Sequence, residues 1–156
     1  MFIIETIKKE EAKGELKLLY KMIERSLGFV PSHFELFATI DIDAMKEFML
    51  YNQKILAHPK IDKNLLPHLR LAIAKKECRG YCVSFNTSLI EKNQPTYSES
   101  QALLLQKVLK AIYEEFSSED LVEIERAGFT QKDFYDLLNY ATDFMAKSKM
   151  IEVYLK

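Results

Sequence analysis

The chain has no tryptophan, only four glycines and four prolines, two cysteines and three histidines in 156 residues. So few breakers exclude a sandwich or barrel of many short strands, because each strand would need its own glycine- or proline-bearing turn. No Asn-Gly or Asp-Gly hairpin turn occurs, and apolar and polar residues never alternate for long. No charge dominates either: 22 Lys and Arg stand against 23 Asp and Glu, a net charge of -1. There is therefore no basic surplus for nucleic acid and no like-charge run for a membrane surface. No apolar run approaches the ~18 residues that span a bilayer. The start offers only the short patch Phe2-Ile3-Ile4, with no basic lead and no small-residue cleavage site, so a secretory leader is not expected and a cytoplasmic setting is. In that setting two nearby cysteines read as thiols or a redox pair, not a structural staple. No glycine-rich phosphate loop and no serine nucleophile elbow is present.

What is there is a helical hydrophobic period almost throughout. Hydrophobic residues make up 48% and charged residues 29%, a globular balance. Leu16, Leu19, Tyr20, Ile23 and Leu27 share a stripe, and Gly28 supplies a stop. A short helix restarts at Pro31-Ser32, with Ser32 and Glu35 at capping-box spacing. A longer one carries Met45, Phe48, Met49, Asn52, Ile55 and Leu56 inward and ends at His58-Pro59. Asp62 caps the next, which carries Leu65, Leu69, Ala72 and Ile73. Arg79-Gly80 marks its end or a kink, and a further helix runs from Tyr81 to Glu91. Three more capping boxes follow, Thr96 with Glu99, Ser117 with Asp120 and Thr130 with Asp133. The last run keeps Leu137, Leu138, Ala141, Phe144, Met145 and Ile151 near one face. The expectation is one all-α domain of seven or eight helices over residues 1–156, its first helix packing on a partner subunit or on its own core.

Chemistry concentrates in one stretch, Lys75-Lys76-Glu77-Cys78-Arg79-Gly80-Tyr81-Cys82-Val83-Ser84-Phe85-Asn86. If Gly80 opens a helix, Cys82 lies in the first turn, where free backbone N–H groups and the positive dipole end stabilise a thiolate. Arg79, Lys75 and Lys76 add positive charge nearby. A buried, inert cysteine is the competing reading. Within a regular helix, residues four apart hold their Cβ atoms about 5–6 Å from each other. A disulfide needs about 3.5–4.5 Å. Cys78 therefore reaches Cys82 only if it stands before the first helical turn.

This stretch resembles the signature of the AhpD-like, carboxymuconolactone decarboxylase family, Cys-x-Tyr-Cys-x-x-x-His with a Glu twelve residues before the first Cys. Upstream, Leu27-Gly28-Phe29-Val30-Pro31, a short helix, and a helix leading through Leu65-Leu66 to Leu71-Ala72-Ile73-Ala74 are similar to the family's run, so the resemblance covers residues 16–91. It implies an AhpD-like helical bundle that assembles as a homo-oligomer. It also implies peroxidase-related, antioxidant thiol chemistry, on a hydroperoxide or small molecule or on a disulfide or dithiol protein partner. Tyr81 and Cys82 match the motif's Tyr and second Cys. Arg79 stands at the first Cys with Cys78 displaced by one, Asn86 stands at the His, and Pro67 stands at the Glu. In the family the two cysteines form a redox pair, and the Glu and His relay protons to the reactive thiol. Asn86 can orient a thiol or a water, but it cannot exchange a proton near neutral pH. His68 is a conceivable substitute for the lost Glu, since its pKa suits proton transfer, though one position is about 100° round a helix.

The site residues expected are thus Cys82 as the attacking thiolate, Cys78 as its partner, Tyr81 shaping the pocket, Asn86 orienting, and His68 relaying. The alternative is a catalytically silent homo-oligomeric binding or structural protein on the same fold. Lactone decarboxylation is a third option that fold alone does not license. No cofactor is expected. No metal is expected either, because His33, His58 and His68 lack i,i+4 pairing and any His-Glu-x-x-His context. His33 and His58 read as surface or loop residues.

Overall fold

The structure, a computed structural model, describes residues 2–156. Among these residues eight α-helices follow one another: α1 Gly14–Leu27, α2 Ser32–Ile40, α3 Ile42–Leu56, α4 Leu66–Lys76, α5 Gly80–Asn93, α6 Glu99–Tyr113, α7 Ser118–Arg126 and α8 Gln131–Val153. A 3-10 turn at Lys63–Leu65 leads into α4. Extended pairing among the described residues is confined to an isolated bridge between Phe2 and Leu155. The fold is therefore all-α, as the breaker count and the 3.6-residue period predict. No helix among the described residues is long and apolar enough to cross a membrane.

The described residues gather into two compact units, one of the residues up to Asn52 with Val153–Lys156, the other Gln53–Glu152. In the first, α1 buries Leu16, Tyr20 and Ile23 within the chain itself and leaves Leu18 and Met22 exposed. Phe48 of α3 packs against Phe34 and Phe37 of α2 at ring distances of 5.2 and 5.1 Å. The segment before α1 has no helix of its own and is tied down by polar groups. Tyr20 Oη donates to the Ile7 carbonyl at 2.9 Å. Lys8 Nζ reaches Glu35 Oε2 at 2.6 Å, and Thr6 Oγ1 donates to the same oxygen at 3.3 Å.

Gly28 closes α1 in the left-handed region at φ 84°, as its position predicts. Two expected caps are not used. Pro31, not Ser32, is the N-cap of α2, because Glu35 is spent on Lys8 and Thr6. Ser98, not Thr96, caps α6 by accepting from the Gln101 N–H. The boxes at Ser117/Asp120 and Thr130/Asp133 do form. Leu56, expected inward, is exposed in the last turn of α3.

The second unit is built on fully buried side chains: Leu65, Leu66, Leu69 and Ile73 around α4, Leu104 and Val108 of α6, Ile124 of α7 and Leu137 of α8. Each such side chain contributes about 1.5–3 kcal/mol relative to exposure. Asp120 ties α6 to α7: Lys107 and Lys110 both reach its carboxylate, at 2.6 and 2.8 Å. His58 lies in the loop after α3, as expected, and is tied down there. Its Nδ1 accepts from the Lys60 and Ile61 N–H groups, and its Nε2 meets Asp136 Oδ2 at 3.0 Å, fixing the loop before α4 to the first turns of α8. His33, by contrast with the expected surface or loop position, is buried in α2, its ring against Phe34 and Phe48.

Candidate functional site

The junction between α4 and α5 is a Schellman turn. The Arg79 N–H bonds to the Ala74 carbonyl at 2.8 Å and the Cys78 N–H to the Lys75 carbonyl at 3.3 Å. Cys78 therefore occupies the position after the C-cap and takes φ 55°, a left-handed conformation normally left to glycine. Gly80 does not play that role; it is the first residue of α5. Arg79 is the N-cap of α5 and Cys82 its third residue, so Cys82 does sit in the first turn. Cys78 lies outside the helix, exposed, while Cys82 is buried; both are free thiols.

Only Cys82 and Asn86 of α5 are buried, one turn apart on the same face. Asn86 is 1% exposed, and its amide is engaged at both ends. Nδ2 donates to the Cys82 carbonyl at 2.8 Å, and Oδ1 accepts from Arg70 Nε at 2.7 Å. Arg70, on α4, also donates through Nη1 to the Tyr140 hydroxyl of α8 at 2.8 Å. Three helices thus meet in one polar cluster beside the buried thiol. Asn86 is oriented toward Arg70, not toward a proton relay.

The electrostatics reverse one expectation. Burial pushes the Cys82 thiol up to about 11, and the nearby Arg70 and Arg79 charges offset this only in part, while Glu152 adds to it. The helix start places the thiol but does not ionise it, because desolvation outweighs the positive end of the dipole. Arg79 is itself neutralised: it pairs with Glu152 and lies 3.8 Å from Glu77. Its Nε is buried without a partner among the described residues.

Of the expected site residues, the structure joins Cys82 and Asn86 and sets Cys78 in the adjoining turn. Tyr81 stacks on Phe85 at 6.4 Å with the rings parallel. His68 is held elsewhere: its Nε2 donates to the Pro95 carbonyl at 3.2 Å, and its ring meets Tyr97 edge-on. Pro67 falls in the first turn of α4, where its missing N–H leaves no bond unmade. Arg70 is the member that sequence reading passes over. Its signal was available, since it shares the i, i+4 and i, i+3 stripe of Leu66 and Ile73, both buried. Tyr140 similarly lies on the stripe of Leu137 and Phe144. No group of three His, Cys, Asp or Glu among the described residues could hold a metal ion.

No family model matches the chain, and no curated protein does. Solved structures match its fold. A peroxidase-related protein of Ralstonia eutropha JMP134, described as an alkylhydroperoxidase AhpD core, superposes with a TM-score of 0.77 over 97% of this chain and 88% of its own, at 17% identity. A peroxidase-related protein of Silicibacter sp. TM1040 superposes with a TM-score of 0.74 over 97% and 85%, at 15% identity. At such identities the likeness is one of fold, and the fold is AhpD-like.

Proposed function

We propose that this chain is a thiol oxidoreductase of the AhpD-like type that works by thiol–disulfide exchange, with Cys78 as the entering thiol and Cys82 as the resolving one. The observation that carries the reading is the placement of the two cysteines. Cys78 is exposed in the turn, and Cys82 is buried in the first turn of the next helix. Because Cys78 stands outside α5, the fixed helical separation that resists a disulfide does not bind the pair. The roles are reversed from those the sequence suggests, since the exposed thiol is the one a partner can meet.

Cys78 gives its proton to solvent and its thiolate attacks one sulfur of a partner's disulfide. The second partner sulfur leaves as a thiolate and takes up a proton. Cys82 then loses its proton and attacks the Cys78 sulfur, and the first partner sulfur leaves. The partner disulfide gains two electrons and two protons, and the chain keeps a Cys78–Cys82 disulfide that an external dithiol reduces. The site lends Cys82 none of the thiolate stabilisation that makes a dithiol pair strongly oxidising. With neither a His at 86 nor a Glu at 67, hydroperoxide reduction is the slower branch.

A second reading, a catalytically silent homo-oligomeric binding or structural protein, is favoured by the raised Cys82 thiol. One set of measurements separates the two. Disulfide reduction and hydroperoxide turnover with a dithiol donor are followed for wild type, Cys78→Ser and Cys82→Ser, with mass spectrometry of the oxidised chain. Exchange that is lost in both variants, with a reversible Cys78–Cys82 disulfide, supports the oxidoreductase. No turnover, and no such disulfide under oxidant, leaves the silent scaffold.

A further inference from the structure

We propose that Arg70, held by Asn86 and Tyr140, is a subsite for an anionic group, a carboxylate, on the molecule with which the Cys78–Cys82 pair exchanges. This deepens the preceding reading and rests on that pair meeting a substrate.

The positive charges around the thiol are not equivalent. Arg79 is compensated by Glu152 and Glu77. Lys75 and Lys76 are exposed to solvent. Arg70 is half-buried, and it donates to an amide oxygen, Asn86 Oδ1, and to the Tyr140 hydroxyl, not to carboxylates. Among the described residues no carboxylate pairs with it. A partly desolvated cation without a counter-ion is costly unless something of opposite charge uses it. At neutral pH the buried thiol does not supply that charge, because it stays protonated.

The fork is also preorganised. Two of its N–H directions are fixed by short bonds to α5 and α8, which restrains a side chain that otherwise carries large rotamer freedom. The remaining donors suit the planar, two-oxygen geometry of a carboxylate. Asn86 links this fork to the Cys82 backbone through its own amide, and the Arg70 charge is near enough to act on the Cys82 thiol.

The test compares iodoacetate with iodoacetamide, which share a leaving group and differ in charge. The full-length chain is alkylated at low salt, and modification of Cys82 and Cys78 is followed separately by mass spectrometry. The expected result is an iodoacetate-to-iodoacetamide rate ratio at Cys82 that falls at least threefold in Arg70→Met and less in Arg70→Lys. Added sodium acetate lowers the same ratio in the wild type, which keeps the test decisive if Arg70→Met does not fold. A ratio unmoved by Arg70→Met, or by acetate, overturns the subsite. A merely structural Arg70 would lower thermal stability and leave the ratio alone. A chain that turns over no disulfide but keeps the charge preference loses the oxidoreductase reading and retains the anion site. A chain that turns over disulfide without the preference does the reverse.

Discussion

Cys78 holds its left-handed backbone against a steric cost of about 1–2 kcal/mol for a residue with a Cβ. Cys78→Gly relieves that cost, less the extra flexibility that glycine gives the unfolded chain. The net expectation is a gain of about 0.5–1 kcal/mol, read as a calorimetric midpoint about 1–3 °C higher. A lower midpoint would show that the thiol makes compensating contacts. Cys82 poses a different residue-scale question. With its thiol pushed up to about 11, its alkylation rate rises about tenfold per pH unit through neutral and mildly alkaline pH and is still rising at pH 10. A plateau near the ordinary value of about 8.5 would mean that the site opens in solution and exposes the thiol.

At the scale of elements, α7 is the one most dependent on a single side chain. It has nine residues, too few to be stable alone, and its first turn is held by Asp120. Asp120 accepts from the Ser117 N–H at 2.9 Å, and Lys107 and Lys110 lie against the same carboxylate. These donors hold its carboxyl well below the usual range. The folded value is lowered, so its stabilisation is present above the unfolded value of about 3.9 and is lost as pH falls through the folded one. Asp120→Asn is therefore expected to lower the urea midpoint at pH 7. The gap to wild type should close in strong acid. An equal gap at both pH values would assign the loss to shape instead of charge. The α8 start is governed similarly. Burial would raise the Asp136 carboxyl, but Lys132 and His58 outweigh it and hold it low.

For the whole molecule these signs combine into a pH window. Lowered carboxylates set its acid side. The raised Cys82 thiol sets the first alkaline step, because above about 8.5 the unfolded chain releases a proton that the folded chain keeps. Tyr20, pushed up to about 12 by burial and by Glu35, adds a second loss above pH 10. Urea midpoints are expected to be flat between about pH 5 and 8 and to decline from about pH 8.5 upward. Cys82→Ala should remove the first alkaline step and keep the second. The stability itself resides in apolar packing. Leu69 is fully buried, and Leu69→Ala is expected to cost about 2–5 kcal/mol in urea unfolding. A cost below 1 kcal/mol would mean that the core around α4 collapses to fill the space.

Periodicity and punctuation made most of the fold legible in the sequence. The apolar stripes behind the expected seven or eight helices need only local spacing to be recognised, and Gly28, Asp62, Ser117 and Thr130 act on neighbours within a turn. The first-turn position of Cys82 was legible for the same reason. Ser32 and Thr96 were misleading, because a cap's side chain or its partner can be claimed by groups distant in sequence, as Glu35 is by Lys8. What depends on three helices meeting could not be read along one of them. Asn86 turns to Arg70, sixteen residues away, and Arg70 to Tyr140, seventy residues away. His68 turns to Pro95, twenty-seven residues away. Charge near a helix start argued for an ionised thiol. Tertiary burial removed the water that would have allowed it, and only the packed structure could decide between those opposed terms.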